Sequence, residues 1–245
     1  MKAIVGIVVS LTLVLAFSAT LLAQETAETE VKTEAKAPEK EVENPMVRIE
    51  TNHGNIMLEL FQKEAPISVD NFLSYVREGF YDGTIFHRVV RGFVLQAGGM
   101  NEELKQKKQK PGIKNEATNG LKNLRGTLSM ARTSDINSGT SHFFINLKDN
   151  NFLDHTGMSP QQYGYAVFGK VADEASMKVV DKIAEVEVEN VGNFQNVPVE
   201  PVVIEKAVVV GEEKVTEEKE EEGEEPAKAE KELKKEPKKM EEEGE

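Results

Sequence analysis

The residues of this sequence that could do chemistry form an unusual set, because the common catalytic signatures are absent. There is no Gly-x-Ser-x-Gly elbow, no His-Glu-x-x-His pair and no phosphate-binding loop ending in Lys-Ser/Thr. The four histidines (His53, His87, His142 and His155) lack metal-ligand spacing, and the chain has no cysteine. What remains is a cluster of arginine, glutamine and phenylalanine, for which we expect neither a metal nor a cofactor.

The first part of this cluster lies in two short strand-like segments that read FHRV and, a few residues later, FVLQ. Side chains alternate between the two faces of a strand. We expect Arg88 to point away from the core side on which Phe86 lies. The alternation of side chains predicts that Phe93 and Leu95 share one face of their strand, opposite Gln96.

Four further segments complete the pattern and read GTLSMAR, TSHFFIN, NFLDH and YAVFGKV. In this order the segments closely resemble the cyclophilin family. FHRV, F-x-x-Q-x-G-G, S-M-A-R, F-F-I-N, F-L-D and VFGKV are together highly specific, and the match runs from about residue 46 to 210. The spacing, with a long insert at 101–111, is similar to the exported bacterial branch of the family.

The resemblance implies a mainly β fold, a closed eight-stranded antiparallel barrel capped by two α-helices. The implied activity is rotation about X–Pro peptide bonds in proline-containing polypeptides. The family's essential arginine corresponds to Arg88, and Gln96 corresponds to the glutamine that steadies it. The substrate-binding positions implied by the match are Phe93, Val94, Ala131, Arg132, His142, Phe144, Phe152, Leu153 and Tyr165.

Some of these positions depart from the commonest family pattern. Val94 replaces a methionine, which shortens the pocket wall, and His142 replaces a glutamine that contacts the substrate backbone. Phe152 and Tyr165 stand where many eukaryotic members have tryptophan and histidine. Bacterial members also have these two residues, so we expect activity together with weak cyclosporin binding.

An arginine beside an apolar slot suits this reaction on physical grounds. Rotation about a peptide bond costs about 18–20 kcal/mol because its resonance must be broken, but no bond has to be made. A twisted imide nitrogen becomes a better hydrogen-bond acceptor, and an always-charged guanidinium can donate to it. This interaction exists mainly in the transition state, which is the requirement for lowering a barrier.

The elements that would position these residues are short strands and two helices. Apolar and polar residues alternate on both sides of Asn52-His53-Gly54, which predicts a hairpin. Apolar residues at helical spacing in 69–76 and 177–184 predict the two helices. Ser68 is a candidate N-cap for the first helix. Many short strands with few helices favour a closed antiparallel sheet. Phe86, Phe143 and Val167 are predicted to be core. Further strands are expected at 85–89, 93–97, 126–130, 142–145, 166–168 and 202–210.

The two ends of the chain differ in composition from the predicted domain at 46–210. Residues 1–23 have a basic start and an apolar run that favour a signal peptide, with a retained membrane anchor as the alternative. Segment 24–45 is predicted to be a disordered linker, and 211–245 a disordered acidic tail. We therefore expect an exported protein, periplasmic or secreted, with membrane contact only if the N-terminal segment is retained.

The charge of the chain argues against a nucleic-acid partner. Its 30 Lys and Arg against 43 Asp and Glu give a formal net charge of −13, whereas phosphate binding needs a basic face. We expect a monomer. Two other functions stay open at this stage: a non-catalytic module that binds proline-bearing peptides, and partner recruitment by the acidic tail. Arg88 and Gln96 favour the enzyme, because a binder needs no hydrogen-bond donor in its pocket.

Overall fold

The computed structural model describes residues 43–212, which form mainly β-strands together with two α-helices, α1 Pro66–Arg77 and α2 Glu174–Ala184. None of the helices in this part of the chain is long and apolar enough to cross a membrane. The strands are β1 Met46–Thr51, β2 Gly54–Leu60, β3 Thr84–Ile85, β4 Arg88–Val90, β5 Val94–Ala97, β6 Thr127–Met130, β7 Phe143–Asn146, β8 Val167–Val171, β9 Val188–Val191, β10 Phe194–Pro198 and β11 Val203–Val209.

Nine of these strands form one antiparallel sheet, in the order β3-β11-β1-β2-β8-β6-β7-β5-β4. Its edge strands, β3 and β4, are consecutive in the chain and joined by a short link, so the sheet is strongly curled. The edge strands β3 and β4 are not paired with each other. The expected mainly β fold with two helices is therefore confirmed, but closure into an eight-stranded barrel is not. Strands β9 and β10 form a separate hairpin, which the sequence pattern did not predict.

The predicted hairpin at the start of the domain is present. Strands β1 and β2 pair antiparallel, with Thr51 opposite Gly54 at the turn. The Thr51 hydroxyl donates a hydrogen bond to the Gly54 carbonyl over 2.7 Å, and Gly54 has a φ of +128°. That backbone conformation is open mainly to glycine, so the Asn-His-Gly signal correctly located the turn.

Helix α1 begins earlier than its sequence pattern indicated. Pro66 occupies the first turn, where the missing N–H of proline leaves no unpaired donor, and Ala65 is the N-cap. The predicted Ser68 N-cap is wrong, because Ser68 lies within the helix. Its backbone N–H and its hydroxyl both donate to the Glu116 carboxylate, over 2.7 and 2.6 Å. A side chain from a distant part of the chain therefore caps this helix.

The core lies between the curled sheet and the helices, and Phe143 on β7 is at its aromatic centre. The Phe143 ring makes edge-to-face contacts with Phe72, Tyr81 and Phe86 at centroid distances of 5.4, 5.6 and 6.4 Å. All four side chains are buried. The structure buries Phe86, Phe143 and Val167, as predicted.

Candidate active site

A cavity of about 260 Å³ opens beside strands β4, β5, β6 and β7. This volume lies just below the usual range for small-molecule sites, so it suits one side chain of a polypeptide better than a large cofactor. It brings together all the predicted site residues except His142 and Phe152. The lining residues are Arg88, Phe93, Val94, Gln96, Ala131, Arg132, Phe144, Leu153 and Tyr165.

One side of the cavity is apolar. Val94, Ala131, Phe144 and Leu153 form a small buried cluster that is separate from the main core, and Phe93 packs against it. Val94 lies on β5 and Phe144 on β7, Ala131 directly follows β6, and Leu153 ends the 3₁₀ turn Asn151–Leu153. A slot of this kind removes an apolar ring from water and excludes water from its surroundings.

The Tyr165 ring closes this slot at one end. It packs against the apolar cluster and meets the Phe144 ring edge-to-face at a centroid distance of 5.6 Å. Tyrosine at this position therefore supplies an aromatic wall to the slot.

The prediction that Phe93 shares a face with Leu95 is wrong. Leu95 is fully buried in the main core, whereas Phe93 lines the cavity. Phe93 lies in the turn that precedes β5, so the alternation of strand side chains does not extend to it.

The other side of the cavity carries Arg88 and Gln96. These residues are direct partners in the register of β4 and β5, and the Cβ atoms of such cross-strand partners are about 4.5–5.5 Å apart. The Arg88 Cζ atom lies 5.7 Å from the centroid of the Phe93 ring, within reach of a cation–π contact. A half-buried guanidinium therefore stands directly beside the apolar slot.

Two predicted binding residues lie outside the cavity lining. Phe152 is 70% exposed and stacks on Phe93 at a centroid distance of 5.7 Å, so it forms an outer rim. The His142 ring instead contacts the His87 ring edge-to-face, at a centroid distance of 5.2 Å. Gly99 leaves room for it, because a Cβ at that position would lie 2.6 Å from His142 Nε2.

The side chain of Arg132 is committed to the protein itself. Its Nε donates to the Gly164 carbonyl over 2.9 Å and its Nη2 to the Pro160 carbonyl over 2.7 Å. Its Cζ lies 4.9 Å from the centroid of the Tyr165 ring. Arg132 therefore clamps the loop that carries Tyr165, a role that the family resemblance did not indicate.

A buried polar network lies beneath the slot, and the sequence reading missed it. Asn150 Nδ2 donates to the Phe93 carbonyl over 3.0 Å and to Asn146 Oδ1 over 2.8 Å, and the Leu153 N–H donates to the Asn150 carbonyl over 2.8 Å. The network thus ties two walls of the slot together. Asparagine is depleted in strands, so the asparagine that ends F-F-I-N was the available signal.

Buried His87 and half-buried His142 are both mainly neutral at pH 7. Burial lowers the pKa of His87 to about 3, with the positive charges of His142 and Arg88 as smaller causes. Burial also lowers the pKa of His142. Neither imidazole therefore adds a positive charge beside the guanidinium at neutral pH.

The free energy of unfolding is expected to fall by about 2 kcal/mol between pH 7 and pH 5 through His87 alone. The unfolded chain binds a proton at this residue below its ordinary pKa of 6.5, whereas the folded chain does so only near pH 3. Stability is therefore lost as the pH falls through this window. Urea unfolding of the wild type and His87→Leu across pH 5–7 measures the effect. An equal pH dependence in both proteins would contradict it.

Comparisons with known proteins agree with this geometry. The cyclophilin-type peptidyl-prolyl cis-trans isomerase/CLD family matches residues 46–209. Peptidyl-prolyl cis-trans isomerase A of Dickeya dadantii (strain 3937) is 56% identical over 164 residues, which are 67% of this chain and 84% of that protein. Peptidyl-prolyl cis-trans isomerase B of Escherichia coli (strain K12) is 54% identical over 164 residues, 67% of this chain and 99% of that protein.

Solved structures agree as well. The crystal structure of a Cryptosporidium parvum cyclophilin type peptidyl-prolyl cis-trans isomerase in the presence of the dipeptide Ala-Pro has a TM-score of 0.53 and 28% sequence identity. The match covers 67% of this chain and 98% of that chain. Sequence and structure thus lead to one family, and the chain belongs to the cyclophilin-type peptidyl-prolyl cis–trans isomerases.

Proposed function

We propose that this isomerase seats the proline ring of its substrate in the apolar slot and lowers the rotation barrier with Arg88. The observation that carries the proposal is the meeting of the Arg88–Gln96 pair and the apolar cluster in one cavity of about 260 Å³. A proline ring is small and apolar, so the slot can hold it while one flank of the X–Pro bond turns.

To catalyse this rotation, the site has to stabilise a twisted imide. When the bond twists, conjugation is lost and the lone pair on the proline nitrogen becomes free to accept a hydrogen bond. Arg88 offers a positively charged guanidinium with five N–H donors. The apolar wall beside it lowers the local dielectric, which strengthens this contact relative to water.

Gln96 is proposed to position Arg88 rather than to act on the substrate nitrogen itself. It stands opposite Arg88 in the strand register. Its side-chain carbonyl can accept one guanidinium N–H, which would leave the remaining donors for the substrate. A rate loss in Gln96→Leu that is partly restored in Gln96→Glu would distinguish positioning from a structural role.

The polypeptides acted on are proposed to be exported proteins that carry proline. Uncatalysed X–Pro exchange takes roughly tens to hundreds of seconds and can limit folding, so acceleration would help chains that fold after export. Support comes from the signal-like segment at 1–23, which lies outside the described residues. We also expect the protein to act as a monomer and without nucleic acid.

The exported location predicts that the mature protein begins at Gln24, because the apolar run gives way to polar residues after Ala23. Intact mass measurement of the protein from fractionated cells tests this. Recovery of the shortened chain outside the cytoplasm supports export with cleavage. A chain that keeps Met1 and stays in the cytoplasm would overturn the assignment, and one that keeps it in the membrane fraction would show an anchor instead.

A further inference from the structure

A second cavity, of about 280 Å³, lies on the far side of the catalytic pair from the apolar slot. Because Arg88 and Gln96 line both cavities, the two are contiguous across this pair. The wall of the second cavity comes from the tip of the β9–β10 hairpin, to which neither the sequence pattern nor the family match assigned a role. The lining residues are His87, Arg88, Gln96, Asn193, Phe194 and Gln195.

The tip of this hairpin has a defined shape. Val191 pairs with Phe194, which leaves Gly192 and Asn193 as a two-residue turn. Gly192 has a φ of +57°, and glycine is the residue preferred at the first central position of hairpin turns of type II′. The tip can therefore present fixed side chains to the cavity.

The base of the hairpin is anchored to the domain. Strand β10 packs against β4, the strand that begins with Arg88. Val197 is buried, and the Val199 N–H donates to the Glu187 carbonyl over 2.9 Å. The Asn196 N–H donates to Asn190 Oδ1 over 3.1 Å, across the point where the register shifts. The tip is thus held at a set position beside Arg88.

The chemistry of the tip fits a polypeptide backbone. Asn193 and Gln195 are exposed amides, each with two N–H donors and one carbonyl acceptor, the same groups that a peptide chain offers. Neither side chain carries a charge, and the half-buried Phe194 ring adds an apolar surface between them. Apart from Arg88, which the proposed slot already uses, the lining offers a charged side chain no ion-pair partner for its lost hydration, so this surface favours an uncharged polar segment.

We propose that the hairpin tip is a second substrate subsite, which binds the polypeptide flank next to the proline and favours an uncharged polar residue there. This inference rests on the proposed proline slot. The two cavities share Arg88 and Gln96, so a flank that leaves the slot past this pair enters the cavity that the tip lines. Rotation about the X–Pro bond also requires one flank to be held while the other turns, and the tip supplies that hold.

The test compares blocked Ala-Pro dipeptides with peptides extended on either side of the proline by Ser, Leu, Lys or Glu. For the wild type, kcat/KM is expected to be highest with a serine extension on one side. In the Asn193→Ala/Gln195→Ala double variant, the ratio of kcat/KM for the serine-extended peptide to that for the dipeptide should fall about tenfold, since two hydrogen bonds are lost. Glu189→Gln, an exposed change on the same hairpin, should leave the ratio unchanged.

A gain of specificity gives a second, independent readout. Gln195→Glu keeps the shape of the side chain and adds a negative charge, so it should shift preference toward the lysine extension by about tenfold. Unchanged ratios in both the double variant and Gln195→Glu would overturn the subsite. The proposed slot is judged separately: if Arg88→Ala keeps full activity on the dipeptide, the slot assignment fails, whatever the hairpin variants do.

Discussion

Replacing Arg88 by alanine is expected to lower kcat/KM for X–Pro isomerisation by about 100- to 1,000-fold, the range seen when one preorganised hydrogen-bond donor to a transition state is removed. The apolar slot is expected to remain in this variant, because Phe144 and Leu153 pack with Val94 and Ala131 in the apolar cluster. A protease-coupled proline-peptide assay at pH 7 measures the loss. It should appear in kcat more than in KM, since the donor acts on the twisted imide.

Arg91 offers a matched control for this variant. It lies three residues along the chain, its side chain is 65% exposed, and it pairs with Glu185 on the surface. Arg91→Ala removes the same kind of side chain outside the site and should leave kcat/KM unchanged. Arg88→Lys keeps the positive charge but loses the planar guanidinium and its fixed arrangement of N–H donors, so partial activity is expected. Full activity in Arg88→Ala would show that the barrier is lowered by some other group.

Two adjacent phenylalanines on β7 are expected to separate stability from activity. Phe143 is fully buried at the aromatic centre of the core. Truncating such a residue costs about 3–5 kcal/mol, because the surrounding structure cannot collapse into the cavity that is left. Urea denaturation of Phe143→Ala should therefore show a large drop in the midpoint. Its kcat/KM should stay near wild type while the protein is folded.

Phe144 should behave in the opposite way. Its ring belongs to the apolar cluster beside the open cavity and meets Tyr165 edge-to-face. Phe144→Ala is expected to destabilise the fold less than Phe143→Ala, because its ring already borders open space. It should raise KM for proline peptides about tenfold or more, since apolar contact with the ring is lost. Equal effects of the two changes on stability and on KM would refute this division of β7 into a core face and a site face.

Much of the core could be predicted from alternation and helical spacing, and the failures have physical causes. The hairpin of β1 and β2 was predicted correctly because every second side chain of these strands is buried. Ser68 was misassigned because the true cap comes from Glu116, a contact between residues far apart in the chain. The hairpin at 188–198 was missed because all of β9 is exposed, so its sequence has no buried face to mark it.

The residue types of the site could be predicted, but not every role within it. Alternation failed at Phe93, which lies in a turn where no strand rule applies. The clamp made by Arg132 depends on carbonyl groups in a loop about 30 residues away, and the tie from Asn150 to Phe93 spans the two walls of the slot. Contacts of this kind are fixed by the folded topology and leave little trace in local sequence spacing.

The most direct test of Arg88 is an NMR exchange measurement on a proline peptide at saturating protein, which yields both the peptide Kd and the cis–trans rate on the enzyme. If the guanidinium acts on the twisted imide, Arg88→Ala should keep the Kd within about threefold of the wild type while the on-enzyme rate falls about 100-fold or more. An unchanged rate on the enzyme, or a loss confined to binding, would contradict the role of Arg88 in the transition state.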